Sequence, residues 1–519
     1  MSTKNLFKLD RRQSLTTGLA TLASVTALAA LWVSTAGTAQ AQQRKDAVVI
    51  GITLEPTGLD PTSAPSAAIG EIVHYNILEG LTKINADGSV TPLLAESWSV
   101  SDDGKVYTFK LRQGVKFQDG EEFDSAAVKY SYDRAKAEGS TNKAKKAVFD
   151  NVTQIAAPDK STVVLTLANP DGNLLFRLGE NTAVIVGSKS IATGATKPVG
   201  TGPYKFDNWN KGTSVTLSKW DGYRDAAAVK INRVTFRFIN DASAQVAALM
   251  AGDVDTFPRS GNNPGFDQFK GDAKFVVTVG PTAGKGIMTI NNKKKPFDDV
   301  RVRRALTYAI DRKAFIDGAL DGQGVPIGSH FAPTDAGYVD LTGMYPHDVE
   351  KAKALLKEAG VVTPLNVTLT LPPPSYARKG GEVLAAQLAK VGINAKIENV
   401  EWAQWLSGAF KGNFDLTVVN HAEPLDYFQY TNTAYYWGYD SKAFRDLFAK
   451  HAASSKPADR SRLFADMQRQ IATDAVNVYI FNPSQVVVSR KGLKGVWPSS
   501  PIFANDVAAG DDGKVYVSD

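Results

Sequence analysis

The stretch that decides the fold runs from residue 94 to residue 120 and reads LAESWSVSDDGKVYTFKLRQGVKFQDG. In its middle, Tyr107, Phe109 and Leu111 alternate with polar residues, and this period of two predicts a half-buried β-strand. The Asp-Gly pair at 119–120 supplies the residue types that tight turns favour. The stretch therefore predicts a strand followed by a tight turn.

Helical patterns alternate with such strands along the rest of the chain. One apolar stripe follows Asp298 and Asp299, which can cap a helix. The stripe consists of Val302, Ala305, Leu306, Ala309 and Ile310. A second helix is predicted between Asp348 and Gly360, because Asp is favoured at the start of a helix and Gly at its end. This alternation predicts an α/β protein in which helices cover the sheets.

Size and composition limit the class of protein. The chain has 519 residues, of which 43% are hydrophobic and 22% charged, so it can form a sizeable core. At about 100–200 residues per domain, this length predicts two or three structural units. The 59 basic and 53 acidic residues are interspersed, and the charge of +6 is too diffuse to indicate a nucleic-acid partner. Because the chain has no cysteine, disulfides and thiolate metal sites are excluded.

Residues 1–41 have the composition of an export signal. A basic stretch leads into an apolar and small-residue stretch at 15–33, and Ala39-Gln40-Ala41 has the A-x-A form of a signal-peptidase site. The alternative is a retained membrane anchor, but several Thr and Ser residues dilute the apolar stretch. The signal peptide is therefore expected to be cleaved, so that the mature chain begins at Gln42.

The pair Arg11-Arg12 also resembles the twin-arginine motif, which directs proteins that are exported already folded. Asp10 and Ser14 depart from that motif, which usually has serine and phenylalanine at these positions. The sequence therefore leaves both the twin-arginine route and the general secretory route open.

The sequence shows no motif for catalysis or for a metal centre. The histidines are His74, His330, His347, His421 and His451, and none has a partner at the i, i+3 or i+4 spacing of a helical metal site. Residues 280–285, GPTAGK, resemble a phosphate-binding loop, but three residues rather than four separate the glycines, and Gly286 replaces the required Ser or Thr. No G-x-S-x-G or G-x-G-x-x-G motif occurs. We therefore expect no catalytic residue, no metal and no cofactor.

Four blocks of the sequence carry a resemblance to a known family. They are the stretch 94–120, GTGPY at 200–204, ALMAGDVD at 248–255 and PFDDVRVRRALTYAIDR at 296–312. In this order they resemble blocks of the family 5 solute-binding proteins, which are the dipeptide, oligopeptide and nickel-complex receptors of ABC importers. The resemblance covers nearly all of the chain after the export signal.

The resemblance implies an α/β, periplasmic binding protein-like fold with two lobes around a cleft and hinge crossings between them. Residues 42–283 would form lobe I, including an extra subdomain at about 88–194, and residues 284–480 would form lobe II. Residues 481–519 would return to lobe I.

The resemblance also implies two charged ligand contacts. In peptide-binding members an aspartate meets the amino group of the ligand, and an arginine after a proline-rich loop meets a carboxylate. Asp426 and Arg378 stand at these positions, and such a pair suits a zwitterion. Glu423 adds a second potential anion, and His421 lies in the same segment. The sequence leaves open that Asp426 and Arg378 are surface charges or members of an internal ion pair.

An aromatic cluster adjoins this segment, with seven Tyr, Phe and Trp residues between positions 427 and 439. Aromatic side chains suit both pocket walls and cores. The ligand contacts expected among them are Tyr427, Tyr435, Tyr436 and Trp437. Trp402 and Trp405 lie three residues apart on a predicted helix and are expected to pack in the core, with a pocket wall as the alternative.

The function that the resemblance implies is that of a periplasmic substrate-binding protein of an ABC importer. Such a receptor would capture a peptide or a peptide-like polar amine or carboxylate solute by lobe closure and deliver it to the inner-membrane permease complex. One alternative is a receptor for a non-peptide solute, either opine-like or a sugar-conjugated amino compound. A secreted enzyme is a weaker alternative. We expect a monomer without a nucleic-acid partner.

Cleavage of the export signal can be tested on protein taken from the host periplasm. Because the A-x-A pattern ends at Ala41, N-terminal sequencing of the mature protein is expected to begin at Gln42. Replacing Arg11 and Arg12 by Lys should block export if the twin-arginine route is used and leave it unchanged if the general route is used. A mature chain that starts elsewhere, or that stays in the membrane, contradicts the prediction.

Overall fold

The structure is a computed structural model that describes residues 46–507, except positions 65, 261, 262 and 455, together with the short strand at 516–517. The export signal predicted at 1–41, with its cleavage site, lies outside the described residues. Within the described ranges, no helix combines the length and the apolar character needed to cross a membrane.

Strands and helices alternate along the described chain, as the sequence predicts for an α/β protein. The strands are β1 (Ala47–Ile52), β2 (Thr82–Ile84), β3 (Val90–Pro92), β4 (Ala95–Val100), β5 (Val106–Leu111), β6 (Val152–Asp159), β7 (Thr162–Leu167), β8 (Tyr204–Asn210), β9 (Ser214–Lys219), β10 (Arg233–Phe238), β11 (Thr256–Ser260), β12 (Phe275–Pro281), β13 (Lys285–Ile290), β14 (Gly324–Pro326), β15 (Leu365–Leu371), β16 (Ile393–Asn399), β17 (Leu416–His421), β18 (Asn477–Arg490), β19 (Leu493–Lys494) and β20 (Tyr516–Val517). The α-helices span Ala67–Val73, Ser125–Lys136, Ala144–Ala147, Leu174–Arg177, Ala242–Ala251, Val300–Ala309, Arg312–Leu320, Val349–Glu358, Ser375–Ala389, Trp402–Ser407, Lys442–Ala453 and Pro457–Thr473.

One long sheet runs through both halves of the molecule. Its strand order is β16-β15-β17-β13-β18-β11-β1-β10-β9-β8, and β12 and β14 also pair with β18. We call the part built from β1–β12 the first lobe and the part built from β13–β17 the second lobe. The 14-residue strand β18 belongs to both, because it pairs with β13 and β14 near its start and with β11 and β12 near its end.

The chain crosses between the lobes at two neighbouring places. Strand β12 ends at Pro281 in the first lobe, and β13 begins at Lys285 in the second. In β18, Pro483 still pairs with β14, whereas Ser484 already pairs with β12. The two lobes are thus joined by short ordered crossings rather than by a flexible tether.

The stretch at 94–120 forms part of a separate antiparallel sheet in the first lobe, with the order β4-β5-β7-β6. The strand predicted at 107–111 is confirmed as β5, in which Tyr107, Phe109 and Leu111 are buried. These side chains share a hydrophobic core with Val128 and Tyr132 of the helix Ser125–Lys136. This sheet therefore has a core of its own.

The helices predicted for the second lobe are also confirmed. The first spans Val300–Ala309, and the Asp299 side chain accepts a hydrogen bond from the backbone N–H of Arg301 at its start. Its apolar face packs with Met288 and Ile290 of β13 in the core of this lobe. The second spans Val349–Glu358 and is capped by Asp348. These apolar contacts hold β13, the strand that begins at Lys285, in the core of the second lobe.

The two lobes touch just before the helix Leu174–Arg177 of the first lobe. There, Gly172 and Asn173 meet Tyr427 and Arg460 of the second lobe. The Tyr427 hydroxyl lies 2.7 Å from Asn173 Nδ2, which donates to it, and 2.9 Å from Asn173 Oδ1, which accepts from it. The Arg460 guanidinium donates to the carbonyl oxygen of Gly172. We call these hydrogen bonds the interlobe contact, and they show a conformation in which the lobes meet.

Replacing Tyr427 by Phe tests whether the interlobe contact holds the lobes together. The ring is 1% exposed and keeps its packing, but both hydrogen bonds to Asn173 are lost, each worth about 0.5–1.5 kcal/mol. We expect the unliganded protein to shift towards an open form, with a larger radius of gyration in small-angle X-ray scattering.

The matched control is Tyr132→Phe, which removes a buried hydroxyl that has no hydrogen-bond partner among the described residues. It should leave the radius of gyration unchanged. If Tyr427→Phe has the radius of the wild-type protein, the prediction is wrong.

Candidate ligand-binding site

The charged segment predicted for the site lies at the interlobe contact. Strand β17 ends at His421, and Leu425 then adopts the left-handed conformation, with φ of 57°. A 3-10 helix spans Asp426–Thr431 and begins with the predicted aspartate. Because Asp426 directly precedes Tyr427, the chain places this carboxylate one residue from the hydrogen bonds that join the lobes.

Asp426 is buried, and three side chains contact its carboxylate. Lys285 Nζ lies 2.8 Å from Oδ1, His330 Nε2 lies 3.0 Å from Oδ2, and His421 Nδ1 lies 3.1 Å from Oδ2. Lys285 Nζ also donates to the backbone carbonyl of Glu423 at 2.6 Å. We call Lys285, His330, His421 and Asp426 the Asp426 cluster. In the described structure Asp426 therefore belongs to an internal ion pair.

The charge state of the cluster follows from burial and from these contacts. Burial opposes ionisation of Asp426, yet the charge that His330 carries at acidic pH, the charge of Lys285 and the hydrogen bonds from both histidines hold the pKa of this carboxyl well below its ordinary value. Burial lowers the pKa of His330 to about 4, so this imidazole is neutral at pH 7. With His330 neutral, the Lys285 ammonium supplies positive charge against Asp426.

Strand register explains why Lys285 and His421 meet. They are directly opposite each other in the antiparallel pair of β13 and β17. His330 comes from the segment after β14, 96 positions before Asp426. Sequence reasoning missed Lys285 and His330 as site residues, because no local spacing connects them to Asp426. One signal was available in the sequence: Lys285 is followed by five uncharged residues, GIMTI, that complete its strand. All six residues of this strand are buried.

Aromatic side chains enclose the cluster. The Tyr436 hydroxyl lies 2.9 Å from His421 Nε2, and the ring centres of Tyr430 and Trp437 lie 5.1 and 5.7 Å from that of His330. Tyr435 is only half-buried, with its ring centre 4.4 Å from that of Trp437. Trp437 Nε1 and His330 Nδ1 are buried and have no hydrogen-bond partner among the described residues. A bound solute can satisfy such groups.

The predicted arginine has a different partner. Arg378 lies in the first turn of the helix Ser375–Ala389 and forms an ion pair with Glu401 at 3.0 Å. Both side chains reach the surface, with 40% and 74% of their area exposed. The same turn touches the end of β17, since the backbone N–H of Asn420 donates to the hydroxyl of Tyr376. The structure thus brings His421 and Asp426 together, while Arg378 pairs separately with Glu401.

The two predicted core tryptophans differ in their surroundings. Trp405 is 4% exposed, and its Nε1 donates to Thr417 Oγ1, which confirms the core prediction. Trp402 is 42% exposed, so that prediction is wrong for this residue. Trp402 is the first residue of the short helix Trp402–Ser407. Its ring reaches solvent, whereas the ring of Trp405 packs inward.

The composition of the cluster raises the question of a metal. Donor atoms of His330, His421 and Asp426 lie within 4.8 Å of one another, and two imidazoles with a carboxylate suit zinc or nickel. Two features argue against such an ion. The Lys285 ammonium already contacts the same carboxylate, and within the described ranges His330 Nδ1 has no acceptor of the kind that usually orients a metal-binding histidine. We therefore describe the cluster as a hydrogen-bonded ion pair.

Two α/β lobes, joined by two short crossings and meeting at a buried polar site, define a two-lobed binding protein. Residues 89–443 match the sequence profile of the Bacterial extracellular solute-binding proteins, family 5 Middle. The chain belongs to this family, as the four sequence blocks indicated.

Similar proteins agree on the class. Glutathione-binding protein GsiB of Escherichia coli (strain K12) is 28% identical over 502 residues, which cover 91% of this chain and 95% of GsiB. The PBP AgaA from A.tumefacien R10, in complex with agropinic acid, is 30% identical, with coverage of 86% and 94% and a TM-score of 0.67. DppA from Helicobacter pylori, in complex with peptide STSA, is 26% identical, with coverage of 93% and 100% and a TM-score of 0.70. The predicted two-lobed fold and the class of ABC-importer substrate-binding proteins are thereby confirmed.

Replacing Asp426 by Asn tests the importance of the buried ion pair. The variant keeps the shape of the side chain but leaves the Lys285 ammonium buried without an opposite charge. We expect the free energy of unfolding to fall by about 3–5 kcal/mol, as when one partner of a buried pair is removed. Urea denaturation measures the loss.

Two further variants complete this test. The double variant Lys285→Met/Asp426→Asn removes both charges and should recover much of the loss, because no unpaired charge remains. Glu423→Gln changes an exposed side chain and should leave stability within about 0.5 kcal/mol of wild type. A loss below about 1 kcal/mol in Asp426→Asn would show that the pair contributes little.

Proposed function

We propose that this protein is the periplasmic receptor of an ABC importer and that it captures a peptide or a peptide-like polar solute by lobe closure. The observation that carries the proposal is the position of the Asp426 cluster, buried among aromatic rings next to the interlobe contact. Binding sites for small solutes combine apolar walls with a few placed polar groups, and they often lie between domains. Lobe closure around such a site would bury the solute and the polar groups together.

The proposed ligand-facing surface has a charged part and an aromatic part. Asp426, His421 and Glu423 form the charged part, with Arg378 as the group that would meet a carboxylate. A guanidinium can exchange an exposed partner such as Glu401 for a carboxylate held in bidentate geometry. Tyr427, Tyr435, Tyr436 and Trp437 form the aromatic part.

The relatives bind chemically different solutes. One is named for glutathione, one was solved with agropinic acid and one with a peptide. We propose a peptide-like solute for this chain and keep a non-peptide solute as the alternative. We also propose that the mature protein is a periplasmic monomer with its signal peptide removed, that it delivers the solute to the inner-membrane permease complex, and that it does not convert the solute chemically.

Native mass spectrometry of protein purified from its own host tests this function. We expect the mass of a monomer with one small polar solute, which is released unchanged when the protein is denatured. Adding the released solute to the emptied protein should reduce the radius of gyration in small-angle scattering, because the lobes close around it. A radius that stays the same at saturation contradicts lobe closure, and a chemically altered solute after incubation would indicate an enzyme.

A further inference from the structure

We infer that Lys285 is a specificity-determining residue: its ammonium occupies the place at Asp426 that a ligand ammonium would take, and so directs the site to polar solutes without a free primary ammonium group there. The inference rests on the proposed function and refines it by naming the chemical class of the solute. Such solutes include those whose amine is acylated or substituted and those with hydroxyl or amide groups in its place.

The contacts of Lys285 Nζ are those of an ammonium site. Its nitrogen lies 2.8 Å from Asp426 Oδ1 and 2.6 Å from the carbonyl oxygen of Glu423. A primary ammonium has three N–H donors and no acceptor, so a carboxylate and a carbonyl at these distances are the partners it needs. The same two acceptors would receive the amino group of a bound peptide. In this chain they receive a side chain of the protein.

The other oxygen of the carboxylate is occupied as well. His330 Nε2 lies 3.0 Å and His421 Nδ1 lies 3.1 Å from Asp426 Oδ2. Both contacts are within hydrogen-bond range, and both nitrogens can donate. A ligand ammonium would therefore have to displace Lys285 or a histidine to reach Asp426.

Displacement of Lys285 is unfavourable because this lysine is built into the core of the second lobe. Its side chain is only 2% exposed, and its backbone belongs to β13, which pairs with β17 and β18. The tether keeps its ammonium at an effective concentration of about millimolar or more against Asp426. A free solute at micromolar concentration competes poorly with such a partner. A displaced ammonium would also need a new partner within the protein.

Two uncharged polar atoms, one on His330 and one on the neighbouring Trp437, fit the same class of solute. Because the Nε2 of neutral His330 donates to Asp426, its Nδ1 is an acceptor, and this atom has no partner among the described residues. Trp437 Nε1 is a donor and also lacks one within the described part of the chain. The two rings have their centres 5.7 Å apart. A hydroxyl or an amide can satisfy an acceptor and a donor, whereas an ammonium can only donate.

Chemical rescue tests the occupancy of the ammonium site directly. Lys285→Ala should leave room at Asp426 for an added small ammonium, so propylammonium is expected to raise the melting temperature of this variant by about 2 °C or more in a saturable manner. Wild-type protein, whose site is filled, should show no such rise. Propan-1-ol, which has the same shape but no charge, should not stabilise Lys285→Ala.

A matched double variant shows whether the rescue acts through Asp426. In Lys285→Ala/Asp426→Asn the anionic partner is gone, so propylammonium should have no effect. If Lys285→Ala does not fold alone, refolding in propylammonium is expected to restore it. Failure of propylammonium to stabilise or restore Lys285→Ala overturns the inference, and so does equal stabilisation of wild type or of the double variant.

The solute released from wild-type protein gives a second, independent test. It should either resist an amine-acylating reagent or bind as tightly in its N-acetyl form as in its free form, because the inference requires that it has no free primary amine at Asp426. A solute that is acylated, and whose N-acetyl form then binds at least tenfold more weakly, overturns the inference but leaves the proposed function standing. A protein that closes around no solute contradicts the proposed function instead, while the rescue experiment still decides the role of Lys285.

Discussion

A carboxylate buried where two lobes meet needs a compensating charge, and for Asp426 the Lys285 ammonium supplies it. Removing both groups from water costs several kcal/mol per ion, so the pair is tolerated only with good geometry and with the remaining lone pairs satisfied. That requirement fixes the surroundings. Lys285 and His421 must stand opposite each other on β13 and β17, and the segment after β14 must present His330.

The Asp426 cluster and the interlobe contact are joined through the chain itself. Asp426 and Tyr427 are neighbours in one short 3-10 helix, and one makes the buried ion pair while the other bonds to Asn173 of the first lobe. A solute that shifts this helix would act on both. Strand β18 runs through both lobes without a break, and its pairing partner changes from β14 to β12 between Pro483 and Ser484. Short crossings of this kind suit hinge closure better than free rotation.

Much of the fold was predictable because its signals are local. The alternation at 107–111 and the capped stripe at 300–309 correspond to β5 and to a helix whose start is bound by Asp299. The Asp426 cluster was predictable only in part. The resemblance pointed to Asp426, but its partner Lys285 is set by the register of two strands far apart in the sequence, and register is decided by tertiary packing. The ion pair between Arg378 and Glu401 was not predictable either, because no local spacing in the sequence connects the two residues.

Two-lobed binding proteins of one family can differ in ligand while they share a fold, because function depends on a few side chains placed on a common scaffold. Position 285 is where we propose that one residue has such an effect. It begins a strand whose backbone pairing does not depend on the side chain, so a lysine there alters the charge seen by Asp426 without altering the sheet. A small side chain at the same position would leave the carboxylate free to attract a cation from solution. With lysine, the attraction is satisfied internally, and the polar atoms beside the cluster that lack a partner among the described residues, His330 Nδ1 and Trp437 Nε1, are uncharged. We therefore propose that specificity in this site depends on which ammonium the aspartate receives, that of the protein or that of the solute.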